Sequence, residues 1–442
     1  MKKTVISLLS TALLAAFSLQ AQKVWTLKEC IDYALANNIA IKTAGLNAEV
    51  QEIEKKNTQF RRLPYVSASA SHNIGFGQTQ DNTGVYVNSN SQSTSAGLST
   101  GITLFNGFQI NNSVKAQQYS TLASLENLNK AKEDLSLNIA SAYLQILYNK
   151  ELYQLALEQV DLSKEQLRQY EIRYAHDKIP EGQLYEIKAK LAQDELSATQ
   201  QKQTMELSLL ELSQLLELED WKDFNISEPD SQIMVSKEAL QLPAESIYDQ
   251  AQSNRAAIKS AQYEVMTSEK MLEVSRGARY PSLSLGASYS NSYYDHSNYA
   301  NPSFKDQLST NGRSNIGLSL SIPIFNRLNT TNNIKRSNIN LETARLQLEN
   351  TKKILYKEIQ QAWFNANTAE EKYRASFETI RATQEAFRFT EEKFNSGRST
   401  IYEYNEARMQ LLRTRSEQLQ AKYNLMFSLK ILDFYRGNSI HL

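Results

Sequence analysis

Apolar positions along this chain follow two periods. The shorter has a period of two. Leu283, Leu285, Ala287 and Tyr289 alternate with Ser284, Gly286, Ser288 and Ser290. Ile316, Leu318, Leu320, Ile322 and Ile324 alternate with Gly317, Ser319 and Ser321. Earlier, Val66, Ala68 and Ala70 stand against Ser67, Ser69 and Ser71, and Leu98, Ile102 and Leu104 against Ser99, Gly101 and Thr103. Alternation of this kind predicts four strands, each with one apolar face and one small, hydroxylated face. The longer period is the 3,4 spacing of a helix seam. Ile139, Ala142, Ile146, Tyr153, Ala156, Val160, Leu167, Tyr170 and Tyr174 keep it, with Asn149 and Ser163 as polar interruptions. Ile359, Ala362, Ala366, Ala369, Tyr373, Ile380, Phe387 and Phe394 keep it again. Seams this long predict coiled-coil packing. The helices expected over 107–176 and 327–396 contain no proline. At ~1.5 Å per residue, about 70 residues reach roughly 105 Å, which suits a structure crossing a compartment better than a globular domain.

The two sets of patterns are one pattern repeated. Ala96-Gly97-Leu98-Ser99 matches Ile316-Gly317-Leu318-Ser319, an offset of 220, and the register continues through Lys115 and Lys335, Ile139 and Ile359, Arg168 and Arg388, and Glu186 and Glu406. Upstream the offset is 217, as in Ile41-Lys42 against Ile258-Lys259 and Pro64 against Pro281. The three-residue difference falls between Pro64 and Gly97, or the equivalent Pro281 to Gly317, segments that carry polar loops (Gln78 to Ser95, Asp295 to Arg313) where insertions are tolerated. Each half reads helix, strand, loop, strand, long helix, turn, helix. The turns are Asp177-Lys178-Ile179-Pro180-Glu181-Gly182 and Asn395-Ser396-Gly397-Arg398-Ser399-Thr400. The expected organisation is therefore a leader over 1–21, a first repeat over 22–217, an inter-repeat segment over 218–243, a second repeat over 244–432 and a tail over 433–442.

The leader has the marks of a secretory signal peptide. Met1-Lys2-Lys3 precedes an apolar run from Val5 to Leu19, and Leu19-Gln20-Ala21 supplies a small residue before the cut. The single cysteine, Cys30, follows Leu27-Lys28-Glu29, which is no lipobox, so no lipid anchor is expected and Cys30 reads as a small packing residue. Lys2 and Lys3 removed, the 48 basic residues fall to 46 against 48 acidic ones, a balance that gives no support to nucleic-acid binding. No later stretch is apolar enough for a spanning helix. Four histidines, His72, His176, His296 and His441, lack metal-ligand spacing, and no phosphate-binding loop, dinucleotide turn or nucleophile elbow occurs. No enzyme, cofactor or metal site is expected. The strands leave two readings open. A soluble sheet would bury its apolar face, whereas a membrane barrel would turn that face to lipid and line its lumen with Ser and Gly. In lipid, four strands cannot close, since eight is the usual minimum. Two copies would give eight strands and three would give twelve.

Several motifs, in order and duplicated, resemble the TolC family of outer-membrane factors. They are the strand-to-helix junctions Thr103-Leu104-Phe105-Asn106-Gly107 and Pro323-Ile324-Phe325-Asn326-Arg327, the break from Lys393 to Glu403, and the entry segment Thr26 to Leu35 leading to Asn37-Asn38. The resemblance implies a mainly α protein with a small β membrane part. It implies a homotrimer whose twelve strands, four per chain, form a barrel in outer-membrane lipid above a coiled-coil α-helical periplasmic tunnel. It also implies partners, a periplasmic adaptor (membrane fusion protein) and an inner-membrane RND or ABC pump, and no cofactor. On matched positions, Glu403 and Glu406 stand where the family often places two Asp residues at a pore constriction. Being three apart, they share one helix face. Arg398 lies beside the family's gating arginine, shifted by one. Phe394 matches a gating aromatic and also belongs to the heptad seam. Lys178, Gly397, Ser399 and Thr400 mark the turns where an adaptor would dock. Asp177 stands where the family has glycine.

The resemblance implies a passive exit duct for efflux or type I secretion, with efflux favoured. The alternative is a periplasmic or surface coiled-coil structural protein without a pore.

Overall fold

The computed structural model describes residues 24–80, 83–228, 238–296 and 301–438. The expected signal peptide, residues 229–237 of the inter-repeat segment and the last residues of the tail lie outside them. The first repeat contains β1 (Val24–Trp25), α1 (Leu27–Asn37), α2 (Ile39–Phe60), β2 (Tyr65–Gly75), β3 (Gln78–Gln80), β4 (Tyr86–Asn88), β5 (Ser91–Asn106), α3 (Gln109–Ala175) and α4 (Glu181–Leu215). β6 (Asn225–Ile226) and α5 (Glu238–Gln241) follow. The second repeat contains α6 (Ala244–Asn254), α7 (Ala256–Gly277), β7 (Ser282–His296), α8 (Phe304–Thr310), β8 (Arg313–Ser321), α9 (Asn329–Asn395) and α10 (Ile401–Tyr435). The repeat read from sequence is kept at both ends of every major helix. α1 and α2 recur 217 residues later as α6 and α7, and α3 and α4 recur 220 residues later as α9 and α10. No helix among the described residues is long and apolar enough to cross a membrane.

The chain divides into two compact units. One, residues 47–125 and 260–349, carries a four-stranded antiparallel sheet in the order β2-β5-β7-β8. Along the centre of the sheet its register keeps the two faces apart. Ala68 faces Leu98, which faces Tyr289, and Ile102 faces Leu285, which faces Leu318. On the other side Ser67 meets Ser99 and Ser99 meets Ser288, while Gly101, Gly286 and Gly317 line up. Ser67 and Ser99 share a hydroxyl hydrogen bond of 2.7 Å, and Ser71 and Ser95 one of 2.8 Å. His72 belongs to the apolar side, where its Nδ1 is satisfied by the Thr94 hydroxyl at 2.8 Å.

Three details depart from the sequence expectation. A bulge between Thr103 and Phe105 ejects Leu104 from the ladder, so Phe105 rather than Leu104 faces Leu283 and joins the apolar side. β8 ends at Ser321, so Ile322 and Ile324 do not extend it. The following Pro323 has no N–H to give a ladder, whereas its counterpart Thr103 has one and β5 runs on to Asn106. The segments expected as loops also hold structure. β3 pairs with β4, and α8 is capped by the Ser303 side chain. The buried amide of Gln307 accepts from Tyr294 N and donates to Tyr294 O, doing for β7 what a neighbouring strand would do.

The other unit, residues 1–46, 126–259 and 350–442, is helical. Its core gathers Leu27, Cys30, Ile139, Tyr143, Leu212 and Ile226 from α1, α3, α4 and β6, with β1 and β6 paired in parallel beside it. Thus the inter-repeat segment folds back onto the start of the first repeat. The heptad of the first repeat is buried at Ile139, Ile146, Ala156, Val160 and Tyr170. That of the second is buried from Ile359 to Ala369 but only half-buried at Tyr373, Ile380, Phe387 and Phe394.

A polar network interrupts the first seam. Arg408, 2 % exposed, donates to Ser163 Oγ (2.7 Å), Gln166 Oε1 (2.7 Å), the Gln159 carbonyl (3.1 Å) and Asp194 Oδ2 (3.3 Å). Ser163 donates to Asp194 at 2.5 Å and Lys190 reaches Asp194 at 2.7 Å. Burial pulls the Arg408 guanidinium below its ordinary pKa, against which the Asp194 carboxylate acts. The network ties α3, α4 and α10 together at one level. Removing a single member leaves an uncompensated buried charge, which costs about 3–5 kcal/mol, whereas an apolar replacement of both charges is near neutral. Asp194→Ala is therefore expected to lower unfolding stability by about 3–5 kcal/mol, and Asp194→Leu with Arg408→Met to recover most of it in a denaturant titration. A double variant whose loss equalled the sum of the two single losses would show that the charges are not coupled.

Candidate functional site

The site residues expected from sequence cluster at the second helical turn. α9 ends in a left-handed residue, Gly397 at φ 72°, with Gly397 N donating to Phe394 O and Arg398 N to Lys393 O. This pair of bonds satisfies carbonyls that the helix end leaves free. The first turn has the same geometry with a different residue. Asp177 takes φ 52°, Asp177 N donates to Tyr174 O and Lys178 N to Arg173 O. Asp tolerates the left-handed region better than most residues but lacks the freedom of glycine. The pattern recurs at the ends of α4 and α10, where Glu217 at φ 58° corresponds to Gly437 at φ 88°.

Beyond the turns the repeats differ. α4 starts at Pro180, which offers no side-chain cap, while α10 starts at Thr400 with a full capping box. Thr400 Oγ1 accepts from Glu403 N at 3.2 Å, and Glu403 Oε2 accepts from Thr400 N at 2.8 Å and from the Ser399 hydroxyl at 2.6 Å. These bonds favour the charged carboxylate and hold the Glu403 pKa below its ordinary range. Within one chain Glu403 is therefore turned back onto its own helix start, a role its Thr-x-x-Glu spacing already spelled. Glu406 lies one turn on and is exposed.

Of the remaining expected residues, Arg398 and Lys178 are exposed at the two turns. Phe394 is half-buried, 4.8 Å from the ring of Tyr404 and packed on the cluster of Tyr170, Leu184 and Ile187. The structure thus brings Phe394, Ser399, Thr400 and Glu403 together around one helix start. Sequence reasoning misses the Arg408–Asp194 network, although Tyr404, Arg408 and Leu411, like Ile187, Leu191, Asp194 and Ala198, keep the 3,4 spacing. A charge on each of two seams is the available signal.

Solved structures share the fold. CusC, whose crystal structures follow folding and transmembrane channel formation, superposes over 96% of this chain and 96% of its own, with a TM-score of 0.80 at 19% identity. The CmeC outer membrane channel of Campylobacter jejuni covers 94% of this chain and 86% of its own, at TM-score 0.77 and 20% identity. The open-state MtrE channel of Neisseria gonorrhoeae covers 94% and 90%, at TM-score 0.73 and 18% identity. The fold is that of TolC-like outer-membrane channels, not of an enzyme. The family model of outer membrane efflux proteins matches residues 30–216 and 247–438, that is, both repeats, and the chain belongs to that family. It is an outer-membrane protein. No curated protein matches it by sequence.

Two outcomes follow from the cap. Thr400→Ala is expected to cost about 1 kcal/mol of helical stability and to speed amide exchange in the first turn of α10, leaving α4 unchanged. Because the folded pKa of Glu403 is depressed, its stabilising contribution is present above the ordinary carboxylate range and is lost as pH falls through the folded value. Glu403→Gln should remove that part of the acid dependence, and an unaltered acid limb would show that the cap carries none of it.

Proposed function

We propose that three copies of this chain form an outer-membrane duct, with a twelve-stranded barrel above a helical periplasmic tunnel. The observation that carries the reading is the four-stranded sheet, with one apolar side, one Ser/Gly side and two open edges, β2 and β8. In lipid an open edge leaves backbone donors and acceptors unpaired at several kcal/mol each, so closure with other copies is required. Exposed Phe108, Tyr280 and Phe325 at the strand-to-helix end suit the aromatic belt of a membrane interface. Three copies rather than two follow the TolC-like fold.

The duct is passive. It is opened by a periplasmic adaptor and driven by an inner-membrane pump of the RND or ABC type, and the family to which the chain belongs favours efflux over type I secretion. The turns at Lys178 and at Gly397, Ser399 and Thr400 are the docking points, and Arg398 and Phe394 the gate. In three copies Glu403 and Glu406 give two rings of carboxylates that draw cations into the lumen. Since Ser399 and Thr400 already engage Glu403, Glu406 carries more of the selectivity.

Photo-crosslinkers at Lys178 and Ser399 in living cells should capture an adaptor. Self-crosslinks alone, in cells expressing a pump, would favour a lone pore. In bilayer recordings Glu406→Gln should lower cation selectivity more than Glu403→Gln. Unchanged selectivity in the double variant would remove the ring. A scaffold without a pore would leave the cell on osmotic shock, whereas a duct needs detergent.

A further inference from the structure

The internal repeat gives a register for the contact between copies. Adding 217 to a residue of β2, or 220 to one of β5, gives its counterpart in β7 or β8. This correspondence can be checked inside the chain. Tyr65 pairs with Gly101, their counterparts are Ser282 and Ser321, and Ser282 does pair with Ser321. The remaining pairing, β5 with β7, is the junction between repeats. Its counterpart would join β8 to β2, which lie at opposite edges of the sheet. Three strand spacings of about 4.8 Å separate those edges within a chain, too far for direct pairing in an open sheet.

Resting on the reading that the sheet closes between copies, we infer that β8 pairs with β2 of a second copy in the register β5 already uses with β7. Ser99 pairs with Ser288, so Ser319 faces Ser71 of the neighbouring copy. Gly101 pairs with Gly286, so Ser321 faces the neighbour's Ser69. Thr100 pairs with Ala287, so Leu320 faces the neighbour's Ala70. Apolar again meets apolar and serine meets serine, an outcome that a one-residue slip would destroy.

At the base of the sheet the two junctions differ. Gly107 and Gly277 touch so closely that a Cβ on Gly277 would lie 2.6 Å from the Gly107 carbonyl oxygen. Their counterparts are Arg327 and Phe60, both large. Arg327 holds a left-handed φ of 55° and Phe60 is 62 % exposed. The copies therefore stand farther apart here than the repeats do, with the Arg327 guanidinium over the neighbour's Phe60 ring.

The test is oxidation of the full-length protein in outer membranes, Cys30 being buried and out of the way. Ser319→Cys with Ser71→Cys should give crosslinked dimers and trimers on denaturing gels. Ser319→Cys with Asn73→Cys, displaced by two residues to a wider Cβ separation, should give several-fold less. Oligomers that crosslink better through the displaced pair would overturn this register and leave the trimer standing. Absence of any oligomer on native gels would overturn the trimer itself. Phe60→Ala and Arg327→Ala should each lower the temperature at which the oligomer dissociates, and the double variant should fall no further than either. Full additivity would remove the Arg327–Phe60 contact.

Discussion

Everything in the sheet depends on backbone pairing where water is absent. An antiparallel ladder satisfies its N–H and C=O groups only through neighbours, and four strands in the order β2-β5-β7-β8 leave two rows of them free. In water such edges are tolerable. Against lipid, which the apolar side with Val66, Leu98, Leu285 and Leu318 would face, they are not. The fold of the single chain is thus incomplete by construction, and its oligomeric state is part of its folding problem rather than an addition to it. The Ser/Gly side follows from the same closure. A small barrel has room for few side chains, so small residues at Ser67, Gly101, Gly286 and Ser319 keep the interior open while their hydroxyls bond across the strands.

The helical unit solves a different problem. A coiled coil of Ala, Ile and Val packs well but leaves neighbouring helices free to slide by a heptad. The Arg408–Asp194–Ser163 network sits at one level and engages α3, α4 and α10 at once. Its donors and acceptors meet only in one register, so what it contributes is alignment as much as stability. Towards its C-terminal end the seam of α9 passes from buried to half-buried. The contact of α9 with the rest of its own chain is looser there than that of α3, and the difference lies at Ile380, Thr383 and Thr390, half-buried where their counterparts Val160, Ser163 and Tyr170 are buried.

Much of this is legible in the sequence because it rests on periodicity. Strand faces follow from alternation, helix extents from long seams without proline, and the duplication from a kept register. The expected limits of α3 and α9 lie within two residues of those observed. The rest is hidden for physical reasons. Alternation counts residues and so cannot see a bulge, which is why it puts Leu104 where Phe105 belongs. The pattern Ile322, Ile324 looks like strand because apolar spacing ignores the missing N–H of Pro323. Gln307 substitutes for a strand through its amide, a three-dimensional relation with no local signal. At the candidate site, the Thr400–Glu403 cap is written in the spacing, yet the family pattern assigns the carboxylate to the pore and is blind to its local hydrogen bonds.

The two repeats share a backbone but have diverged in chemistry where the chain turns. Four equivalent left-handed positions carry Asp177 and Glu217 in the first repeat and Gly397 and Gly437 in the second. Glycine reaches that conformation freely, whereas the acidic residues hold it against a steric cost. The same division separates Pro180 from Thr400 at the starts of α4 and α10, and Gly107 from Arg327 at the strand-to-helix junctions. Were only the fold under constraint, glycine would suit all four helix ends equally. The presence of charged residues at one set, and of a capped acidic turn at the other, means that the two turns of one chain offer different surfaces. In the trimer proposed above, a partner docking on the turns would meet two kinds of turn in alternation, which would give three equivalent sites rather than six.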